Sequence, residues 1–201
     1  AGMMGAGIAL VSAQAGVDVI LIDRDVETAA KGKSYSETVL GKQSARGTIS
    51  CDKVDTILAR ITPTDDFALL EGCDLIIEAV FEDIDIKAET TRKAEAIIPA
   101  TTVYASNTST LPISTLAEAS ARPDQFIGLH FFSPVDRMGL VEIIKGVKTS
   151  PATLAVALDF VAKLRKTPIV VNDSRGFYTS RVFQTLIHEG GAMLEEGVPP
   201  A

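Results

Sequence analysis

Apolar and polar positions along this chain follow two periods, and the pattern switches repeatedly between them. A run of small and apolar residues from Gly5 to Ala15 reads as a helix stopped by Gly16. Val17-Asp-Val-Ile-Leu-Ile-Asp23 reads as a buried strand, and a polar helix is expected from about Val26 to Ala45. A shorter helix follows near Asp52 to Ala59. Asp74-Leu-Ile-Ile-Glu-Ala-Val80 then reads as a strand, and about Ile84 to Ile97 as a helix. Thr102-Val-Tyr-Ala-Ser106 is strand-like and leads into Asn107-Thr-Ser109. Two further strand-like runs surround His130 and Glu142 and have the character to pair. A helix from about Pro151 to Leu164 carries proline in its first turn, as helices prefer. The strand Pro168-Ile-Val-Val171 precedes a final helix from about Gly176 to Glu196.

Strands separated by helices predict an α/β fold, a doubly wound and mostly parallel sheet of the Rossmann type. The pattern breaks near Asn172 to Arg175. Residues 1–172 therefore read as a dinucleotide-binding domain, and 173–201 as the first helix of an all-helical C-terminal domain. The chain reads as a fragment. It begins inside a glycine-rich loop without the strand that would anchor it, and stops at Val198-Pro-Pro-Ala201, past a helix with nothing yet to pack against.

Composition narrows the function classes. A net charge of -7 offers no basic stripe for phosphate backbones, which argues against nucleic-acid binding. No apolar run has the length to span a bilayer. Cys51 and Cys73 show no metal-ligand spacing and read as reduced thiols of an intracellular compartment. No metal is expected.

The candidate chemistry lies at both ends of the sheet pattern. Ala1-Gly-Met-Met-Gly5 matches the tail of G-x-G-x-x-G. Gly2 would let the main chain approach a pyrophosphate, Gly5 would allow close helix–strand packing, and the helix N-terminus supplies N–H groups. Met3 and Met4 enter through that main chain, with side chains expected to pack against the sheet. Asp23 ends the next strand, where a carboxylate accepts from an adenosine ribose and favours NAD over NADP. Arg24 beside it leaves NADP open, and a plain turn-capping role for Asp23 remains the alternative. His130, one of two histidines, pairs in chemistry with Glu142: an imidazole backed by a carboxylate is a base held in one tautomer. Each also has a bland reading, His130 as a core histidine and Glu142 as a surface strand residue. Ser109 would be either a substrate contact or the cap of a helix beginning near Pro112. Glu78 sits in an apolar strand and needs a partner that the local sequence does not identify. His188 reads as structural or surface-exposed.

With these pieces assembled, the chain resembles the 3-hydroxyacyl-CoA dehydrogenases, and more narrowly the dehydrogenase part of a multifunctional fatty-acid oxidation protein. The carriers are Gly2-Met-Met-Gly-Ala-Gly-Ile-Ala9, Leu75-Ile-Ile-Glu-Ala-Val-Phe-Glu82, Ser106-Asn-Thr-Ser109, Leu129-His-Phe-Phe-Ser-Pro134, Leu140-Val-Glu142 and Asp173-Ser-Arg-Gly-Phe177. The resemblance implies oxidation of an L-3-hydroxyacyl-CoA to the 3-ketoacyl-CoA with NAD. His130 would remove the 3-hydroxyl proton, Glu142 would orient it, and Ser109 would bond the substrate 3-oxygen. It implies that Glu82, Lys87 and Asn107 touch the cofactor. Two positions depart from the family pattern. Ser180 stands in Gly176-Phe-Tyr-Thr-Ser-Arg181 where an asparagine commonly contacts the reacting oxygen, and Ser133 where asparagine is common after the two phenylalanines. Lys31, Lys33, Lys42 and Arg46 along the long helix would meet CoA phosphates or form a solvated face, with Lys33 and Arg46 the candidates retained.

The resemblance further implies an acyl-CoA partner and a homo-oligomer or multifunctional complex at full length. It also implies a cytoplasmic, mitochondrial or peroxisomal setting. Two other readings stay open: a related NAD-dependent dehydrogenase of a small hydroxy or sugar acid, and a non-catalytic NAD-binding scaffold.

Overall fold

Chain segments cap and stop where local chemistry dictates. The computed structural model describes residues 1–200. Helix α1 (Met3–Gln14) is followed by Gly16 at φ +83°, the left-handed turn that glycine adopts without strain. After β1 (Val19–Ile22), Asp25 accepts from Thr28 N at 2.7 Å and starts α2 (Val26–Ala45). Helix α3 (Cys51–Ala59) is capped by Ser50, and β2 (Ile61–Thr64) follows directly. Then come β3 (Leu75–Glu78), α4 (Ile84–Glu95) capped by Asp83, β4 (Val103–Ser106) and the short α5 (Ile113–Leu116). Strands β5 (Phe126–Phe131) and β6 (Leu140–Lys145) precede α6 (Pro151–Lys163), which Ser150 caps. Strand β7 (Thr167–Asn172) and helix α7 (Thr179–Glu195) complete the order.

The strands form two ladders. β1 pairs with β2 in parallel, and a five-stranded sheet runs β3-β4-β5-β6-β7. Within it only β5–β6 is antiparallel. Helices cover both faces, which is the expected doubly wound, mostly parallel arrangement. One face sets Leu129, Phe131, Val141 and Ile143 with Ile8, Val11, Ala157 and Val161 in a single core. The other face joins Tyr104, Phe126 and Ile144 to Ile113, Leu116 and Phe177. Strand alternation puts His130 and Glu142 on this second face, in register with one another.

Three expectations are corrected. β2 was not foreseen, because Ile61-Thr-Pro-Thr64 is short and contains proline; it pairs only with β1, and an edge position tolerates a residue without N–H. The strand expected from Val17 begins at Val19. The last helix begins at Thr179 rather than Gly176, because Gly176 (φ +76°) and Phe177 (φ +49°) are left-handed and cannot belong to it.

Candidate active site

Two strands and one helix terminus build the centre of the site. His130 on β5 faces Glu142 on β6, and His130 Nδ1 lies 2.7 Å from Glu142 Oε2. His130 is 5% exposed and Glu142 0%, so neither is a surface residue. Phe132 lies against the imidazole with ring centroids 4.3 Å apart, and Phe177 stands 6.1 Å away. Buried charge demands partners, and Glu142 has four. Oε1 accepts from the main-chain N–H of Tyr178 at 3.1 Å and of Thr179 at 2.9 Å. Oε2 accepts from Thr179 Oγ1 at 2.5 Å besides His130.

Burial alone would raise the Glu142 carboxyl. The bonds from His130 and from the hydroxyl and amide of Thr179 outweigh it and hold the group below the usual carboxylate range. An ionised carboxylate at Oε2 requires the proton on Nδ1, which leaves the Nε2 lone pair of a neutral ring as an acceptor. Among the described residues no hydrogen bond engages Nε2. Chemically, this is a buried, oriented proton acceptor.

Ser109 lies beside it in the loop after β4. It is exposed, and it caps nothing: α5 has Pro112 at its N-cap and no side-chain cap from its own loop. Asp173, distant in sequence, accepts instead from Ile113 N and Ser114 N, both at 2.8 Å. Gly176 N donates to Thr110 O, and Ser180 Oγ to Ser109 O at 3.2 Å. The segment from Asp173 to Ser180 thus runs along residues 109–114 and brings Ser180 to Ser109.

The expected cofactor residues surround the open ends of β1, β3 and β4. At the start of α1 no side chain caps the helix and no acidic residue occupies its first turn. The first helical bond is Ala6 N to Gly2 O, so the preceding N–H groups are unspent. A Cβ at Gly2 or Gly5 would meet nothing within 4 Å, which describes an open cradle suited to a pyrophosphate. The packing role expected of Gly5 belongs to Gly7, whose Cβ would lie 2.8 Å from the Val135 side chain. Met4 packs against the sheet as expected, but Met3 is 74% exposed and does not. Ser133 Oγ reaches Met3 Sδ at 3.7 Å, joining the loop after β5 to this cradle.

Asp23, next after β1, accepts from Arg24 N at 2.8 Å. Glu82 accepts from Thr108 Oγ1, Ser109 N and Thr110 N, so it fixes the loop that carries Ser109. Burial opposes its ionisation, while Thr108, Ser109 and Lys87 prevail and lower its proton affinity. Asn107 Oδ1 accepts from Phe131 N at 3.0 Å and ties β4 to β5.

Lys87 is 1% exposed, and its ammonium sits 2.9 and 3.2 Å from the two oxygens of Glu78. This supplies the partner that Glu78 required, together with Ser106 Oγ and Val80 N. Lys33 and Arg46 are not brought together. Lys33 donates to Ile61 O at 2.9 Å, whereas Arg46 is exposed beyond α2. Lys31 pairs with Glu27 on the solvated face.

Residues that sequence reading missed are Thr179, Asp173, Thr108 and Ser106. Ser106, Thr108 and Asp173 lay within motifs that carry the resemblance but had no role assigned, and Thr179 was signalled as a hydroxyl residue near the start of a helix after Gly-Phe.

The family model described as 3-hydroxyacyl-CoA dehydrogenase, NAD binding domain, matches residues 1–174. An (S)-3-hydroxybutyryl-CoA dehydrogenase from Ralstonia eutropha is similar with TM-score 0.95 and 34% identity, over 98% of this chain and 70% of that one. A 3-hydroxybutyryl-CoA dehydrogenase from Escherichia coli K12 gives TM-score 0.95 and 30% identity, over 98% of this chain and 42% of that one. The dehydrogenase part of multifunctional enzyme 1 from C. elegans gives 0.79 and 31%, over 93% and 42%. Matched by that family model over residues 1–174, the chain belongs to the NAD-dependent 3-hydroxyacyl-CoA dehydrogenases.

Proposed function

We propose that this protein oxidises an L-3-hydroxyacyl-CoA to the 3-ketoacyl-CoA within fatty-acid β-oxidation. The observation that carries the reading is the His130–Glu142 pair at 2.7 Å, buried and with Nε2 unspent. His130 Nε2 takes the 3-hydroxyl proton as the C3–H bond breaks. Glu142 keeps Nδ1 protonated and offsets the positive charge that the ring acquires. Bound NAD supplies the acceptor for the hydride leaving C3. Ser109 and Ser180 hold the reacting oxygen; the Ser180 hydroxyl, which donates to the Ser109 main-chain carbonyl, would have to turn toward it. The serine at 180 has less reach than an amide, so Ser109 carries more of this bond.

The main chain of Gly2, Met3, Met4 and Gly5 holds the pyrophosphate, and Asp23 the adenosine ribose. Glu82, Asn107 and Ser133 border the nicotinamide side, while Lys87 acts beneath them through Glu78 and the Asn107 carbonyl. Arg46 remains the candidate for CoA phosphate. Lys33 would have to release a β2 carbonyl first.

Residues 1–172 act as the NAD-binding domain, and 173–201 open a helical domain. The family match ending at 174 and an α7 without a buried residue support this boundary. At full length we expect an oligomer or a multifunctional assembly in a cytoplasmic, mitochondrial or peroxisomal compartment. No helix among the described residues is long and apolar enough to cross a membrane.

The test is loss of NADH absorbance with acetoacetyl-CoA, using the full-length protein and its His130→Gln variant. The variant is expected to lose roughly a hundred- to ten-thousand-fold in kcat. Turnover indifferent to the substitution removes His130 from the mechanism. Folded protein that binds NADH yet turns over no acyl-CoA removes the substrate assignment.

A further inference from the structure

Two donors share a single oxygen of Glu142. Oε2 receives His130 Nδ1 at 2.7 Å and Thr179 Oγ1 at 2.5 Å, while Oε1 is held by the amides of Tyr178 and Thr179. We infer that Thr179 is a positioning residue whose hydroxyl competes with His130 for Glu142 and thereby sets the proton affinity of the base. The inference rests on the reading of His130 as that base.

The two amides fix the carboxylate plane from the main chain, so no side-chain substitution at 179 removes them. The hydroxyl therefore adds little to orientation. Its effect is on charge: each donor draws electron density from Oε2, and what Thr179 draws is withheld from Nδ1–H. Without the hydroxyl, Oε2 would bear more negative charge toward the ring and would favour the imidazolium. His130 would then keep its proton to higher pH. Oxidation needs the free base, so its rate would fall at neutral pH and recover in alkali.

The other charges around the pair are Arg175 before the Gly176 turn and Arg181 on α7, whose side chain packs beside Gly176, together with those of the neighbouring strands. β7 sets Ile169 opposite Glu142, and Tyr178, the residue before α7, is 59% exposed and contributes its main-chain N–H. Lys145, the charged residue at the end of β6, is exposed. Across β4, Glu78, Lys87 and Glu82 bond to one another and to the loop. Asp173 is occupied by α5.

The experiment compares wild-type full-length protein with Thr179→Val, Thr179→Ser and His130→Gln, reading the pH profile of kcat/KM for hydroxyacyl-CoA oxidation. Thr179→Val is expected to move the rate limb roughly half to one pH unit toward alkali, at nearly unchanged KM for NAD. Thr179→Ser, which keeps the hydroxyl, is expected to overlay the wild type. A valine profile that overlays the wild type overturns the inference, as does equal impairment by valine and serine, which would indicate packing alone. If valine yields too little folded protein, Thr179→Ala answers the same question. Full activity in His130→Gln would overturn the base assignment and this inference together. Loss in that variant beside a wild-type profile in Thr179→Val would overturn this inference alone.

Discussion

Lys87 and Glu78 place a full ion pair inside the protein, each side chain 1% exposed. Such a pair costs desolvation on both sides, and it stands only because the remaining bonding capacity is also met. Glu78 takes Ser106 Oγ and Val80 N, and Lys87 adds the Asn107 carbonyl at 3.3 Å. The pair thus braces the main chain from which Asn107 and Ser109 emerge. Removing one partner strands the other, so Lys87→Met should destabilise by about 3–5 kcal/mol. The double variant Lys87→Met/Glu78→Gln should recover most of that loss in urea unfolding. Equal instability of the single and double variants would show that packing volume, not charge, matters here. Glu78 was recognisable as a residue in need; its partner lay on a helix whose polar positions all look alike until it is docked.

At the scale of elements, close approach decides what pattern alone cannot. Helix α1 passes the loop after β5 so near that a Cβ on Gly7 would fall 2.8 and 2.9 Å from Val135 side-chain carbons. Either α1 or the loop after β5 would have to shift. Gly7→Ala should therefore cost roughly 1–3 kcal/mol by overpacking and weaken NAD binding, because α1 presents the cradle. Gly7→Ala with Val135→Ala should regain melting temperature; no recovery would place the cost elsewhere. Gly5 and Gly7 look equivalent in the sequence, and only the docking angle of α1 separates them. The α2 bounds, by contrast, match the polar helix expected at about Val26 to Ala45, and the cap that starts it, Asp25, is local. The β2 strand was hidden by its proline, whose missing N–H is harmless only at an edge.

Across the whole molecule, the proposed nucleotide site draws on α1, Asp23 after β1 and the loops after β3, β4 and β5, so cofactor binding there should stabilise the assembled sheet. At a hundredfold excess over Kd, NAD should add about 2.7 kcal/mol, seen as a rise in Tm. NADP should give a smaller rise, because the Asp23 carboxylate repels a 2′-phosphate. Asp23→Ala should shrink the NAD effect and narrow the difference between the two nucleotides. Equal shifts with both in the wild type would sink the role given to Asp23. Helix α7 belongs to the same scale. It exposes Val182, Phe183, Leu186 and Ile187, yet its first residues close over Glu142.

What the sequence determined by itself was local or periodic. Short apolar runs pointed to every strand but β2, caps and glycines to most helix ends, and the His130–Glu142 pair was legible because it depends on residue types in two short strand motifs. Tertiary structure alone decided the rest. It joined Lys87 to Glu78, moved the packing contact from Gly5 to Gly7, set Asp173 on α5 sixty residues away, and laid Thr179 on Glu142. The physical reason is that hydrogen bonds between distant segments depend on how elements dock, and no short-range pattern encodes the docking.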